Sequence, residues 1–354
     1  MRRLLMPMVL VLLAACATAP RDPFGVAVGD APVWPPPPEQ ARLRYAGSFA
    51  EHRDLFQESG VGRSLARLFG GPAESHLSRP YAVALHPNGG LIVTDPGMQC
   101  VHFYDWKARR YTRFGGDIEG GLPSPVGVAV DQAGNVLVAD SRRVAVERFA
   151  PDGTHLGRFA GEHVFLRPAG IAVDPASGEV FVADVLAHTV CVFASDGALL
   201  RTLGGNGAEA GRFNFPTHVA LDGEGNVLVA DSMNFRVQRL DRQGGSLTVF
   251  GEAGSARGDF AHPKGVAAVA PGVFVAVEGL YDSLVFFDGE GRLLLNVGGP
   301  GSGPGEFWLP AGLAFDAERQ LLFVADSYNS RVQVFRFLGA DSAPGGDGKE
   351  GASP

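Results

Sequence analysis

Cysteine is scarce in this chain: three residues in 354, Cys16, Cys100 and Cys191. No Cys-x-x-Cys-His occurs, so the chain carries no c-type haem of its own. Basic residues are outnumbered, 30 Lys and Arg against 38 Asp and Glu, for a formal net charge of −8. That balance argues against a nucleic-acid partner, whose phosphates demand clustered Lys and Arg. No Gly-x-y period exists, which excludes collagen. No apolar run approaches the ~20 residues that a spanning helix needs. Gly-x-Ser-x-Gly is absent and neither internal Cys has a suitable local His, so the nucleophile motifs are missing too. What the chain has in excess is 49 Gly and 25 Pro, about a fifth of its length. Average usage of the pair is roughly 12%, so turns are unusually dense. An ordinary apolar fraction of 45% rules out disorder throughout. The length alone would allow two domains, although repeat proteins and barrels often exceed that prior.

The first residues read Met1-Arg2-Arg3, an apolar run from Leu4 to Leu13, then Ala14-Ala15-Cys16. A basic start followed by a short apolar stretch is a secretory signal. Leu13-Ala14-Ala15-Cys16 resembles the lipobox of bacterial lipoproteins. The resemblance implies that residues 1–15 are removed and that Cys16 is diacylated and becomes the mature N-terminus; the other reading is an ordinary signal peptide. Acyl chains at ~0.8 kcal/mol per buried CH₂ give stable anchoring without a spanning helix. Ala17 stands where an Asp would suggest inner-membrane retention, which favours an outer membrane and a periplasm-facing domain. Residues 16–40, with Pro20, Pro23, Pro32 and the run Pro35 to Pro38, read as a stiff polyproline tether. Residues 339–354 are Gly-, Ser-, Asp- and Pro-rich and read as a disordered tail.

Between tether and tail one pattern recurs six times. It stands as Pro80-Tyr-Ala-Val-Ala-Leu, Pro125-Val-Gly-Val-Ala-Val, Pro168-Ala-Gly-Ile-Ala-Val, Pro216-Thr-His-Val-Ala-Leu, Pro263-Lys-Gly-Val-Ala-Ala and Pro310-Ala-Gly-Leu-Ala-Phe. Successive prolines lie 45, 43, 48, 47 and 47 residues apart. A carboxylate follows 15 or 16 residues after each: Asp95, Asp140, Asp184, Asp231, Glu278 and Asp326. Each copy holds four short apolar or alternating runs, such as Val126–Val130, Val136–Ala139, Val144–Phe149 and Leu156–Phe159, punctuated by Gly134-Asn135 and Asp152-Gly153. Runs of this length with such turns are strands joined by hairpins. One four-stranded sheet per 40–50 residues predicts a β-propeller.

No Trp-Asp dipeptide ends a strand, and the paired glycines follow the fourth strand, which disfavours the WD40 and kelch patterns. Three connections share Gly-x-x-x-Gly-x-Phe-x-x-Pro: Gly207 to Pro216, Gly254 to Pro263 and Gly301 to Pro310. Two blades carry Asp-Ser-x-Asn-x-Arg-Val, at 231–237 and 326–332. Over about residues 79–338 these features resemble the NHL-repeat family, which implies an all-β, six-bladed propeller of four-stranded antiparallel blades spanning 41–338. The sixth copy stops after its third strand. Leu43–Phe49 is expected to supply the missing outer strand, in preference to Ser64–Phe69, whose spacing looks more helical. Cys100 and Cys191 fall in separate blades, so no disulfide is expected.

The carboxylate ring is expected to be structural, each Asp accepting backbone N–H groups of a turn. Arg236 and Arg331, five residues after their Asp, are expected to clamp a blade boundary. Glu278, longer by one methylene, is a candidate to reach the channel mouth instead. The position two after each Pro reads Ala82, Gly127, Gly170, His218, Gly265 and Gly312. Five small residues suggest an open mouth into which one imidazole projects. Tyr81, Thr217 and Lys264 lie beside it, so Tyr81, Thr217, His218, Lys264 and Glu278 are the candidate ligand-binding residues. The family's amidating lyase holds a metal with several His around this mouth; here His218 alone occupies such a slot, and three protein ligands are the usual minimum for catalytic zinc. No cofactor is predicted, though a divalent cation in the channel stays open. The leading expectation is a monomeric binding or scaffolding module, lipid-anchored in the cell envelope, for a protein, peptide or glycan. The alternative is a metal-dependent hydrolase or lyase at the channel mouth.

Overall fold

A computed structural model of the chain describes residue 24 and residues 31–56, 75–161 and 163–339. The signal segment 1–15, Cys16, Ser64–Phe69 and the tail from 340 onward lie outside the described residues. Among the described residues, no helix is long and apolar enough to cross a membrane.

Six antiparallel sheets stand around one axis. Blade four shows the plan: Pro216–Leu221 nearest the axis, then Val227–Asp231, Arg236–Leu240 and Ser246–Phe250 outward. The innermost strands of the others are Val83–Leu85, Pro125–Val130, Pro168–Val173, Pro263–Ala270 and Pro310–Asp316. Each touches the innermost strand of the next blade, and Pro310–Asp316 touches Val83–Leu85, so the ring is closed. Local chemistry sets the hairpins. In blade four Asp222 Oδ1 accepts the N–H groups of Glu224 and Asn226, both at 2.9 Å, and Gly225 takes φ +81° between them. An Asx-type turn of this kind needs the short acceptor and the glycine at these positions.

The second strand of every blade is buried along its whole length, because both of its faces meet neighbouring blades. The apolar packing is therefore a series of wedges between blades. One wedge joins Leu137, Val146 and Phe159 of blade two to Val180, Val182 and Phe193 of blade three. The phenylalanine of each Gly-x-x-x-Gly-x-Phe connection, Phe213, Phe260 or Phe307, is fully buried in such a wedge. Burying a Phe contributes about 1.5–3 kcal/mol relative to exposure, which is why the connection keeps its length. Cys100 and Cys191 are buried free thiols in blades one and three, as expected.

The ring closes where the sequence predicts. Leu43–Phe49 pairs antiparallel with Arg331–Phe337 and becomes the fourth strand of blade six. Leu43 and Phe49 are buried on opposite sides of that blade, Leu43 against blade five and Phe49 against Tyr104 of blade one at 5.1 Å between ring centres. The end of the expected tether differs. Val33–Trp34 turns back through the proline run and pairs with Leu43 and Arg44, adding a fifth strand to blade six. Trp34 packs edge-on against Phe335, and its indole lies over Gly305, where a Cβ would collide with it. Proline supplies no N–H but keeps its carbonyl, so Pro32 accepts from Tyr45 N–H at 2.9 Å while its own missing donor costs nothing at an outer edge.

Replacing Phe49 by Ala is expected to lower stability by about 3–5 kcal/mol, read as a fall in the urea midpoint. A midpoint equal to that of the parent chain would mean that residues 43–49 do not close the ring.

Candidate functional site

The six carboxylates are buried to within 1% of full enclosure. Asp231 accepts from Asn214 N–H at 2.6 Å, Asn234 at 2.9 Å, Arg236 at 2.8 Å and Gln238 at 3.0 Å. Asp326 repeats the set with Trp308 N–H, Asn329, Arg331 and Gln333. Arg236 also donates to the carbonyls of Glu209 and Arg212 in the connection from blade three, so it clamps the boundary as expected. Two further side-chain roles belong to this stretch. Gln238 and Gln333 complete each carboxylate's shell, while Ser232 and Ser327 latch onto the next blade through the carbonyls of Pro263 (2.7 Å) and Pro80 (2.6 Å).

Glu278 corrects an expectation: its longer side chain does not reach the channel. Its two oxygens accept the N–H groups of Ala261, His262 and Leu280 at 2.7–3.1 Å, with Tyr281 at 3.4 Å, and the residue is 1% exposed. The extra methylene is absorbed within the same turn that the aspartates hold elsewhere.

The small residues near the axis also have a different meaning from the one expected. A Cβ on Gly170 would lie 2.5 Å from His218 Cα, one on Gly265 2.6 Å from the Ala311 carbonyl, and one on Gly312 2.6 Å from the Tyr81 carbonyl. Glycine here does not hold a mouth open. It lets neighbouring innermost strands touch backbone to backbone, and Gly312 N–H donates to the Tyr81 carbonyl at 2.7 Å.

At this constriction the structure does gather four of the candidates. Tyr81 of blade one and His218 of blade four, opposite each other in the ring, stack at 5.8 Å with 20° between their planes. Lys264 of blade five places its ammonium 5.9 Å from the Tyr81 ring centre. The Thr217 hydroxyl lies 2.7 Å from Ser232 Oγ, which ties it to the blade-five latch. Together they seal the axis at the end where the strands begin. Burial, and then the positive charges of Lys264 and His262, push the His218 imidazole down to about 3. Burial likewise lowers Lys264, against the opposing pull of Glu278 and Asp282, and raises the Tyr81 phenol. His218 is thus a neutral ring, and both of its nitrogens are buried without a hydrogen-bond partner.

Behind the seal the axis widens into a cavity of about 690 Å³ that opens at the other face, between Pro87, Pro175, Gly223 and Ala317. Around the seal itself, the strand-two-to-three turns and the inter-blade connections expose apolar side chains: Leu166, Leu186, Met233, Leu280, Trp308 and Tyr328. Trp308 and Tyr328 pack 5.7 Å apart, and Arg79 lies over the Tyr328 ring. Among the described residues no three His, Cys, Asp or Glu side chains gather as a metal site.

Residues 165–193, 213–240 and 307–335 match the family description of the NHL repeat. Each match runs from a buried connection phenylalanine into a third strand, in blades three, four and six. The chain is a six-bladed β-propeller that carries NHL repeats. No curated protein matches it. Among solved structures, it is similar to a virginiamycin B lyase from Staphylococcus aureus, at 13% identity and TM-score 0.54 over 74% of this chain and 96% of that one. A gluconolactonase from Xanthomonas campestris aligns at 16% identity and TM-score 0.57, covering 74% and 86%. An auxiliary nutrient binding protein from Bacteroides ovatus aligns at 14% and 0.56, covering 73% and 69%. At these identities the likeness is one of fold.

His218 generates a pH prediction. The unfolded ring takes up a proton near its ordinary value of 6.5, the folded ring only near 3, so the unfolded chain binds more protons in that window. Stability therefore falls as pH drops below 6.5, by up to ~1.4 kcal/mol per unit from this group. His218→Leu is expected to unfold no earlier at pH 7, because it removes an unsatisfied buried group. Urea melts from pH 6.5 to 5 should show a shallower decline in the variant; equal slopes would mean that His218 is protonated in the folded chain.

Proposed function

We propose that this propeller is a binding module, tethered through Cys16 to the cell envelope, that holds a polypeptide partner on its sealed face. The observation that carries the reading is the belt of exposed apolar side chains around the seal, from Leu166 and Leu186 through Met233 and Leu280 to Trp308 and Tyr328. Aromatic and apolar anchors of this kind are the residues that dominate interfaces. The charge on this face is mixed: Arg79, Arg142 and Arg167 are exposed around the belt, and so are Asp117, Glu119, Glu209, Glu252 and Glu306 of the inter-blade connections. A partner segment that presents apolar side chains fits the belt. Turn residues on a propeller vary without disturbing the blades that hold them.

The alternative, cation-dependent hydrolysis or elimination with His218 and Glu278 as ligands, loses support from the way Glu278 is used. Four backbone N–H groups surround its carboxylate, and the residue contributes no open oxygen to the axis. The lyase and the lactonase share the fold with this chain, as does the nutrient-binding protein, whose name describes a binding role like the one proposed.

Two experiments test the two halves. Cys16→Ala should move the protein from the membrane to the soluble fraction of fractionated cells; unchanged membrane association would remove the lipid tether. Photo-crosslinkers at Trp308 and Leu280 should give a discrete adduct that Tyr328→Asp weakens at least tenfold, while a crosslinker at Glu224 on the opposite face gives none. Equal adducts from both faces would sink the assignment of the sealed face.

A further inference from the structure

The seal holds two donors that the fold does not use. Among the described residues, neither the Lys264 ammonium nor the Tyr81 hydroxyl has a hydrogen-bond or ion-pair partner; the contact between the two side chains is the ammonium's 5.9 Å approach to the ring centre. Both side chains are part-exposed, and neither lines the axial cavity. Their open surface therefore faces outward, on the sealed side of the disc.

Blade five is altered to house the ammonium. The residue after the strand-end carboxylate is Pro96, Ser141, Val185, Ser232 or Ser327 in the other blades, and Gly279 here. A Cβ at position 279 would stand 2.9, 3.0 and 3.3 Å from Cε, Cδ and Nζ of Lys264, so glycine leaves the space that the lysine stem fills. The neighbouring carboxylates are committed elsewhere. Glu278 accepts four backbone N–H groups, and Asp282, 8% exposed, accepts Leu309 N–H at 2.6 Å. Both attract Lys264 from beyond ion-pair distance. Across the seal, Arg167 places a second positive charge near the Tyr81 phenol. An ammonium held partly out of water without a counter-ion is unfavourable until an anion reaches it.

We propose that Lys264, together with the Tyr81 hydroxyl, receives one side-chain carboxylate of the polypeptide held on the sealed face, an inference that rests on that reading of the face. The belt decides where in the partner the acid must lie. Met233 and Leu280 stand on one side of the seal, Trp308 and Tyr328 beside them, and Leu166 and Leu186 across the ring. A segment crossing the disc therefore meets apolar contacts before and after the centre, and the donors at the centre itself. Glu between apolar residues has that order of groups. A chain terminus on Lys264 would leave the far side of the belt uncovered.

The test uses the full chain, fluorescently labelled, on arrays of pentapeptides whose flanking residues are drawn from Leu, Phe, Tyr and Val. One set has a central Glu and capped ends, the second a central Gln and capped ends, the third a central Gln and a free C-terminal carboxylate. The parent should prefer Glu peptides over their Gln partners by about tenfold, the worth of one hydrogen bond to a charged group, and should bind the third set no better than the second. Lys264→Met keeps the stem and removes the charge. It should lower the Glu peptides to the Gln level while both still bind, and Lys264→Arg should keep the preference. Tyr328→Asp should weaken all three sets. No preference in the parent, a preference kept by Lys264→Met, or a gain confined to the third set would overturn the carboxylate site and leave the face as a polypeptide surface. No binding in any set would overturn the reading of the face, and the site with it.

Discussion

The whole molecule depends on how closely six strands can approach one axis. Each blade is a wedge whose thin edge is its innermost strand, and the disc closes only if those edges meet without side chains between them. Gly127, Gly170, Gly265 and Gly312 meet that condition, since a Cβ at any of them would enter a neighbour's backbone. Once the edges meet, the second strands are enclosed on both faces and the phenylalanines of the connections find their wedges. The carboxylates at the strand ends then fix each connection to its blade by accepting its N–H groups. The same constraint makes His218 conspicuous. It is the one large side chain at a position otherwise kept nearly bare, and the ring accommodates it by turning it across the axis onto Tyr81.

Architecture was legible in the sequence because it is periodic. Two anchors, a proline and a carboxylate, kept register through six copies, and the missing strand of the last copy pointed to Leu43–Phe49. What periodicity cannot show is which way a small residue is used. Gly at the third place of the innermost strand was compatible with an open pore or with close contact, and only the neighbour's backbone decides between them. Val33–Trp34 was hidden for a related reason: two residues inside a proline run carry no alternation, and their pairing depends on Phe335 and Gly305 almost three hundred positions away.

The candidate site was read in part. Tyr81, His218 and Lys264 occupy adjacent repeat positions, and the ring topology brings them together. Thr217 joins them but is committed to Ser232, and Glu278 is committed to its own turn. Their side chains could have served either purpose; local backbone donors decided. The exposed belt and the axial cavity could not be inferred from single residues, since both are sums over blades. Each blade contributes one or two groups, and significance comes from their arrangement around a common axis.

The closing strand gives the disc a mechanical property. The N-terminal segment is stitched into the ring at Leu43–Phe49 and again at Val33–Trp34, while the last strand of the chain, Arg331–Phe337, lies directly beside it. A pull arriving through the N-terminal segment therefore meets the seam before any other part of the disc. Phe24, buried against Phe49, Trp106 and Phe323, would be drawn out first, and the two-residue outer pair would then peel one bond at a time. The seven-residue closing strand would then be loaded along its length, with its hydrogen bonds sharing the force. The seam acts as a graded strain relief, and the five blades that close without it feel the load last.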